Sequence, residues 1–288
     1  MAAKNTIFST KTTLNCRGRT LDLSTPIVMG IINVTPDSFY DGGKLSTEKE
    51  LLLYAEKMLL EGAAILDVGG ASTRPGANEV TAEEELSRVI PAISAISKQF
   101  PEAIIAVDTF RSDVLKAAVE YGASISNDIS GGEQDINLWK TVAELKVPYV
   151  LMHMQGTPAT MQSNPQYEEV VKEIFDWMKR KIVQLNELGI HDILLDPGFG
   201  FGKTVAHNFR LLHQLSVFRL FGLPILAGVS RKSMICKVLK VNPERALNGT
   251  SVLNAIALLK GAAVLRVHDV KEAKETIQLI QELNAAAD

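Results

Sequence analysis

Residues 47–69, "TEKELLLYAEKMLLEGAAILDVG", hold one complete structural unit, and its reading decides the fold. Residues 47–62 repeat apolar side chains at helical spacing and end in Gly62, a common signal for a helix C-terminus. Residues 63–69 follow at once as a short apolar run, the length of a buried strand, with a carboxylate, Asp67, near its end.

The same rhythm runs along the whole chain. Strand-like runs recur as "PIVMGII", "AAILDVG", "AIIAVD", "SISND", "PYVLMH", "DILLDP", "PILAGVS" and "AVLRVHD". Amphipathic segments such as "TAEEELSRVIPAISAISKQF" and "YEEVVKEIFDWMKRKIVQLNELG" lie between them, the first opening at Thr81 with the form of a capping box. Eight strand–helix alternations imply a parallel sheet, and 288 residues favour a closed (β/α)8 TIM barrel. The competing doubly wound fold is weakened by the lack of a GxGxxG strand–helix turn. Residues 5–24, "NTIFSTKTTLNCRGRTLDLS", alternate like a β-hairpin and are expected to close the barrel's N-terminal end, its bottom. With no low-complexity linker in view, residues 1–288 read as a single domain.

Composition narrows the class of function. A hydrophobic share of 46% with 22% charge is that of an ordinary soluble globular protein. The net charge of −3 speaks against nucleic acid or an anionic membrane as partner, since both need a concentrated basic face. Cys16 and Cys236 are far apart and lack metal-ligand spacing, which fits a reducing cytoplasm better than a disulfide framework. The first residues have no signal-peptide core, and no apolar run reaches the roughly 18 residues of a membrane span.

The strand ends carry the functional signal. In chain order they present Asn33, Asp67, Asp108, Asn127 with Asp128, His153, Asp196, Ser230 with Arg231 and Lys232, and Arg266 with His268. One such carboxylate is an ordinary turn or cap residue. Polar groups at all eight ends would converge on the C-terminal face of a barrel, where barrel active sites form. A second signal lies at residues 27–44, "IVMGIINVTPDSFYDGGK", where an apolar strand gives way to a polar loop that keeps Phe39 and Tyr40. Such a loop is either a plain surface connection or a lid over a charged substrate.

The segments "INVTPDSFYDGGK", "DVGGASTRPGA", "VDTFR", "NDISGG", "LMHMQGTPATMQ", "LLDPGFGFGKT", "GVSRKS" and "LRVHDV" resemble, in order, the successive motifs of the bacterial dihydropteroate synthase family. The resemblance spans residues 27–270 and departs at Ala71, where the family pattern implies a polar residue such as Glu. It implies joining of 6-hydroxymethyl-7,8-dihydropterin pyrophosphate to p-aminobenzoate, with release of pyrophosphate. It assigns the pterin pocket to Asp108, Asn127, Asp196 and Lys232, with Ile129, Met154 and Phe201 as apolar walls and Arg266 stacking on the ring. Pyrophosphate falls to Asn33, Thr73, Arg74, Arg266 and His268, and the p-aminobenzoate site to Phe39, Thr73, Arg74, Pro75, Phe201, Lys232 and Ser233. Mg²⁺ is the implied cofactor, with Asn33 as its protein ligand and Asp41 as a second candidate, because Mg²⁺ keeps its waters and takes few protein ligands. In the family the loop at residues 33–44 closes with "STRPGA" over the bound pterin, and the chain pairs as a homodimer.

These residue types suit the chemistry. A flat heterocycle with an edge of donors and acceptors needs fixed partners, because an unpaired buried polar group costs about 1–3 kcal/mol. An arylamine is a weak nucleophile, so activation must fall on the electrophile. Departure of pyrophosphate would leave a methylene cation that Asp108 and Asp196 can stabilise, while Arg266, His268, Asn33 and Mg²⁺ stabilise the departing anion and Lys232 donates to the pterin ring. Three competing classes remain: a pterin-binding methyltransferase, which should lack "STRPGA" and "RVH"; a non-catalytic pterin-binding paralogue; and a barrel aldolase with a Schiff-base lysine.

Overall fold

The computed structural model describes residues 10–34, 48–71 and 80–286. The chain opens with two short antiparallel strands, β1 (Thr13–Cys16) and β2 (Arg19–Asp22). Eight further strands follow: β3 (Ile27–Asn33), β4 (Ala63–Gly69), β5 (Ile104–Asp108), β6 (Ile125–Asp128), β7 (Tyr149–Met152), β8 (Ile193–Asp196), β9 (Ile225–Ala227) and β10 (Ala262–Val267). They pair in parallel and in chain order, and β10 closes on β3 to complete the barrel. The open doubly wound alternative is thereby excluded.

The helices packed around it are α1 (Glu48–Leu60), α2 (Ala82–Gln99), α3 (Ser112–Glu120), α4 (Leu138–Leu145), α5 (Val170–Glu187), α6 (Val205–His213), α7 (Ser233–Leu239), α8 (Leu247–Leu259) and α9 (Val270–Ala285). Local chemistry sets their ends. Thr81 caps α2 as the sequence predicts: its hydroxyl accepts from the Glu84 amide at 3.2 Å, and the Glu84 carboxylate accepts from the Thr81 amide at 3.1 Å. After α1, Gly62 turns the chain at φ +100°, a conformation that suits a residue without a side chain. α2 runs through Pro91 even though proline lacks the amide for the helix ladder. Its buried face of Val89, Ala92, Ile93 and Ile96 against the barrel offsets that loss.

Inside the barrel, side chains follow the period of two along each strand. Met29, Ile65, Ala106, Ile125, Val150, Leu194, Leu226 and Val264, one from each strand, form an apolar layer. Leu14, Cys16, Leu21 and Leu23 from the hairpin region pack against that layer and share its cluster. The hairpin therefore closes the bottom of the barrel, as its alternation predicts. Two residues further along each strand the inward series becomes Ile31, Asp67, Asp108, Asn127, Met152, Asp196, Gly228 and Arg266. One step of the pleat thus carries the interior from hydrocarbon to a ring of charge.

Candidate active site

That second layer is a connected network. Asp67, fully buried at 0% exposure, accepts from Arg266 Nε at 2.6 Å and from Asn127 Nδ2 at 3.0 Å. Arg266 Nη2 also donates to Asp108 at 2.6 Å. One guanidinium is held between two carboxylates from neighbouring strands, and Asn127 is pinned by the same carboxylate. With Nε and Nη2 so engaged, Arg266 can offer a ligand Nη1 and the face of its planar group.

The network borders a narrow cleft lined by Asn127, Ile129, Met152, Asp196, Phe201, Gly228, Lys232 and Arg266. Its apolar side is a cluster of Ile129, Met152, Met154, Met161 and Phe201, with Phe110 against it. The three wall residues named from the sequence, Ile129, Met154 and Phe201, are brought together, and Met152 and Met161 join them. Gly228 serves by its size, since a Cβ there would stand 3.8 Å from Lys232 Nζ and 4.0 Å from Asp196 Oδ2, inside the cleft.

Lys232 immediately precedes α7, and its side chain donates to the Phe199 carbonyl and sits 4.7 Å above the Phe201 ring. Asp196 accepts from the Gly198 amide at 2.7 Å. Six consecutive carbonyls of the loop after β8, from Gly198 to Lys203, each accept from a side chain. The donors are Lys203 (twice), Lys232, Gln162, Tyr167 and Asn208. Such a loop is held open to the cleft without a ladder of its own.

Burial dominates the electrostatics. It raises the Asp108 carboxyl to about 7, with Arg266 opposing and Asp67 adding to the rise. Asp196 is raised by burial too, against the pull of Lys232. Lys232 is lowered by burial to about 8, with Asp196 supporting its charge. Burial also works against Arg266, but Asp67 and Asp108 outweigh it and hold its proton more tightly than usual. Lys232, Arg266 and Asp196 lining the cleft, with Asp67 and Asp108 held behind Arg266, are an arrangement for stabilising developing charge.

At the rim, Asn33 ends β3 beside Gly69, and His268 Nδ1 lies 3.0 Å from Ser230 Oγ. Ser233, the first residue of α7, is exposed. Two polar strand-end groups have structural roles instead. Asp128 accepts from the Ser130 and Gly132 amides, both at 2.7 Å, and from Tyr149 at 2.6 Å, which shapes the turn after β6. Arg231 makes a two-pronged pair with Asp269 at 2.6 and 2.8 Å, tying the β9 loop to the start of α9. Phe39, Asp41, Thr73, Arg74 and Pro75 lie outside the described residues.

Asp67 and Lys203 are site residues that the sequence reading did not assign. Asp67 had a signal: it occupies the same inward phase of β4 that Asp108 occupies on β5. Lys203 had none, because nothing in "GFGFGK" tells a buried ammonium from an exposed one.

Comparison with known proteins agrees with this geometry. Residues 29–268 match the family described as "Pterin binding enzyme". The dihydropteroate synthase of Escherichia coli (strain K12) is 47% identical over 270 residues, covering 93% of this chain and 95% of that protein. The crystal structure of Yersinia pestis dihydropteroate synthase with a sulfonamide drug superposes with a TM-score of 0.90 at 42% identity, covering 95% of this chain and 99% of that one. The Xanthomonas albilineans enzyme with 4-aminobenzoic acid gives 0.89 at 42% identity, covering 96% and 99%. Likeness of this depth runs through barrel and cleft together, and the chain belongs to the dihydropteroate synthase family of pterin-binding enzymes.

Proposed function

We propose that the protein is a dihydropteroate synthase whose cleft binds 6-hydroxymethyl-7,8-dihydropterin pyrophosphate and transfers its pterin-methyl group to p-aminobenzoate. One observation carries the assignment of the site: Asn127, Asp196 and Arg266 come from three strands, in one inward phase, and line a single cleft with an apolar wall, while Asp108, in the same phase, is held against Arg266. Fixed acceptors and donors of this kind match the edge of a pterin, and Ile129, Met154 and Phe201 match its faces.

In this reading the groups divide the labour. Asp108 and Asp196 face the electrophilic carbon's side and offset positive charge as the C–O bond to pyrophosphate breaks. Arg266, with His268 and Asn33 toward the rim, receives the leaving pyrophosphate. Lys232 leaves the Phe199 carbonyl to donate to the pterin, and it borders the p-aminobenzoate with Phe201 and Ser233. The arylamine then attacks the methylene carbon, and its proton departs to water or pyrophosphate. The buried ring of charge is already oriented before substrate arrives, so little reorganisation is needed.

Asn33 supplies a hard amide oxygen at the rim, and among the described residues no group of three or more His, Cys, Asp or Glu could hold a metal by itself. That donor set fits Mg²⁺ carried largely by substrate phosphates. When bound there, Mg²⁺ would neutralise charge on the leaving group. Val238 and Leu239 on α7 and Val252 on the adjoining α8 are exposed apolar side chains that support pairing as a homodimer, which sedimentation equilibrium would decide. The free thiols of Cys16 and Cys236 support a cytoplasmic setting, and among the described residues no helix is long and apolar enough to cross a membrane.

The deciding experiment incubates the protein with the pterin pyrophosphate, p-aminobenzoate and Mg²⁺ and follows 7,8-dihydropteroate by mass. No product under conditions where the Escherichia coli relative turns over would refute the assignment.

A further inference from the structure

Lys203 is the most unusual charged group outside the cleft lining. Its side chain is buried at 2% exposure. Nζ donates to the carbonyls of Gly198 at 2.8 Å, Phe201 at 2.9 Å and His153 at 3.2 Å, and lies 3.1 Å from His153 Nδ1. Three carbonyls use the three protons of an ammonium, whereas a neutral amine would leave one acceptor unmet. The contacts close a circuit: Lys203 to the Gly198 and His153 carbonyls, the Gly198 amide to the Asp196 carboxylate, and the His153 amide to the Asp196 carbonyl at 3.1 Å. The two loops touch so closely that a Cβ on Gly198 would stand 1.9 Å from the His153 oxygen.

We propose that Lys203 is a positioning residue for the condensation: its ammonium clasps the loop after β8 to the end of β7 and so fixes both the Asp196 carboxylate and the Phe201 ring in the cleft. The inference rests on the function proposed above. Among the described residues, nothing else bridges these two loops with a charge. Asn208 holds the opposite side of the β8 loop as an amide, accepting from Gly200 at 2.7 Å.

The clasp also has an electrostatic side. The charged groups acting on Asp196 are Lys232, Arg266 and Lys203. Burial pulls the Lys203 ammonium well below its usual range, with Asp196 opposing the fall and Lys232 adding to it; against that pull its charge is held by the three carbonyls that take its protons, with the ring of His153 beside it. Burial and Lys203 together keep His153 neutral. Removing the Lys203 charge takes away one cation that favours the ionised form of Asp196, so its proton should be lost only at higher pH.

The test compares wild type, Lys203→Met and Lys203→Ala, with wild-type turnover measured first, so that a failure of the assigned reaction is seen separately. Lys203→Met should lower kcat/KM by on the order of 100-fold through a misplaced carboxylate and ring. The acid limb of its pH profile should move to higher pH. Lys203→Ala should regain at least tenfold with propylammonium, and wild type should not respond. If Lys203→Ala melts too early to assay alone, its melting temperature should rise with propylammonium and not with 1-propanol. Wild-type kinetics with an unmoved acid limb in Lys203→Met would overturn the proposal, as would equal effects of the amine and the alcohol.

Discussion

Replacing Asp67 by Asn tests whether the charge network or the fold alone gives this residue its importance. Asp67 lies behind the cleft and does not line it, yet it holds Arg266 Nε at 2.6 Å and Asn127 at 3.0 Å. An amide presents one acceptor where the carboxylate presents two, and its NH₂ would face donors. Breaking a buried ion pair outright costs about 3–5 kcal/mol, but Arg266 keeps Asp108 as partner, so the loss is closer to one charge-assisted bond, about 1.5–3 kcal/mol. In folding this should appear as a melting temperature lower by about 3–10 °C. In catalysis the freed Arg266 and Asn127 should shift, lowering kcat/KM by on the order of 100-fold. A third signal separates the two effects. Asp67 pushes the Asp108 carboxyl upward, so its loss should move the acid limb of kcat/KM to lower pH, opposite to the shift expected for Lys203→Met. The assay is steady-state turnover across pH alongside thermal melting. If the variant melts lower but keeps kcat/KM within threefold and its limb in place, the network reasoning is refuted.

Wild-type kcat/KM should be bell-shaped, rising as Asp108, near 7, and Asp196, also raised by burial, both ionise and falling as Lys232 loses its proton near 8; a flat profile from 6 to 9 would detach these groups from turnover. Arg266→Ala and His268→Ala should weaken capture of the pyrophosphorylated pterin by about 1.5–3 kcal/mol for each charge-assisted hydrogen bond to phosphate that is removed, read by calorimetry. Asp108→Asn and Asp196→Asn should depress kcat more than they raise KM, because an amide keeps the shape but cannot offset a developing cation. A change confined to KM would rule out the cationic mechanism.

The barrel was legible because parallel strands buried on both faces read as apolar runs, and "AAILDVG" and "DILLDP" carry that mark. The hairpin was legible from alternation, and its packing under Met29 and Leu194 bears the expectation out. Polar strand ends located the mouth, but a strand end alone does not separate a ligand from a brace. Asp108 and Asp128 both end strands, yet one meets the cleft through Arg266 and the other braces its own turn through two amides and Tyr149. Phase decides: Asp108 continues the inward series from Ala106, while Asp128 is out of step with Ile125. Counting two residues onward from each apolar inward position would also have found Asp67. Met161 and Lys203 were beyond such counting, because they lie in loops whose path depends on contacts distant in sequence.

Among the described residues the hairpin packs on the apolar layer beneath the cleft, yet it bears on the chemistry as an insulator. About 7 Å, two strand residues, separates the apolar layer from the ring of Asp67, Asp108, Asp196 and Arg266. Attraction among those groups is strong only while water is kept from them, since charge interactions weaken several-fold as the surroundings become aqueous. Leu14, Cys16, Leu21 and Leu23 seal the end of the barrel through which solvent could reach the ring from below. The first two strands of the chain therefore act on the reaction at a distance, as a dielectric stopper, and a leak there would register as a softened site long before the barrel itself came apart.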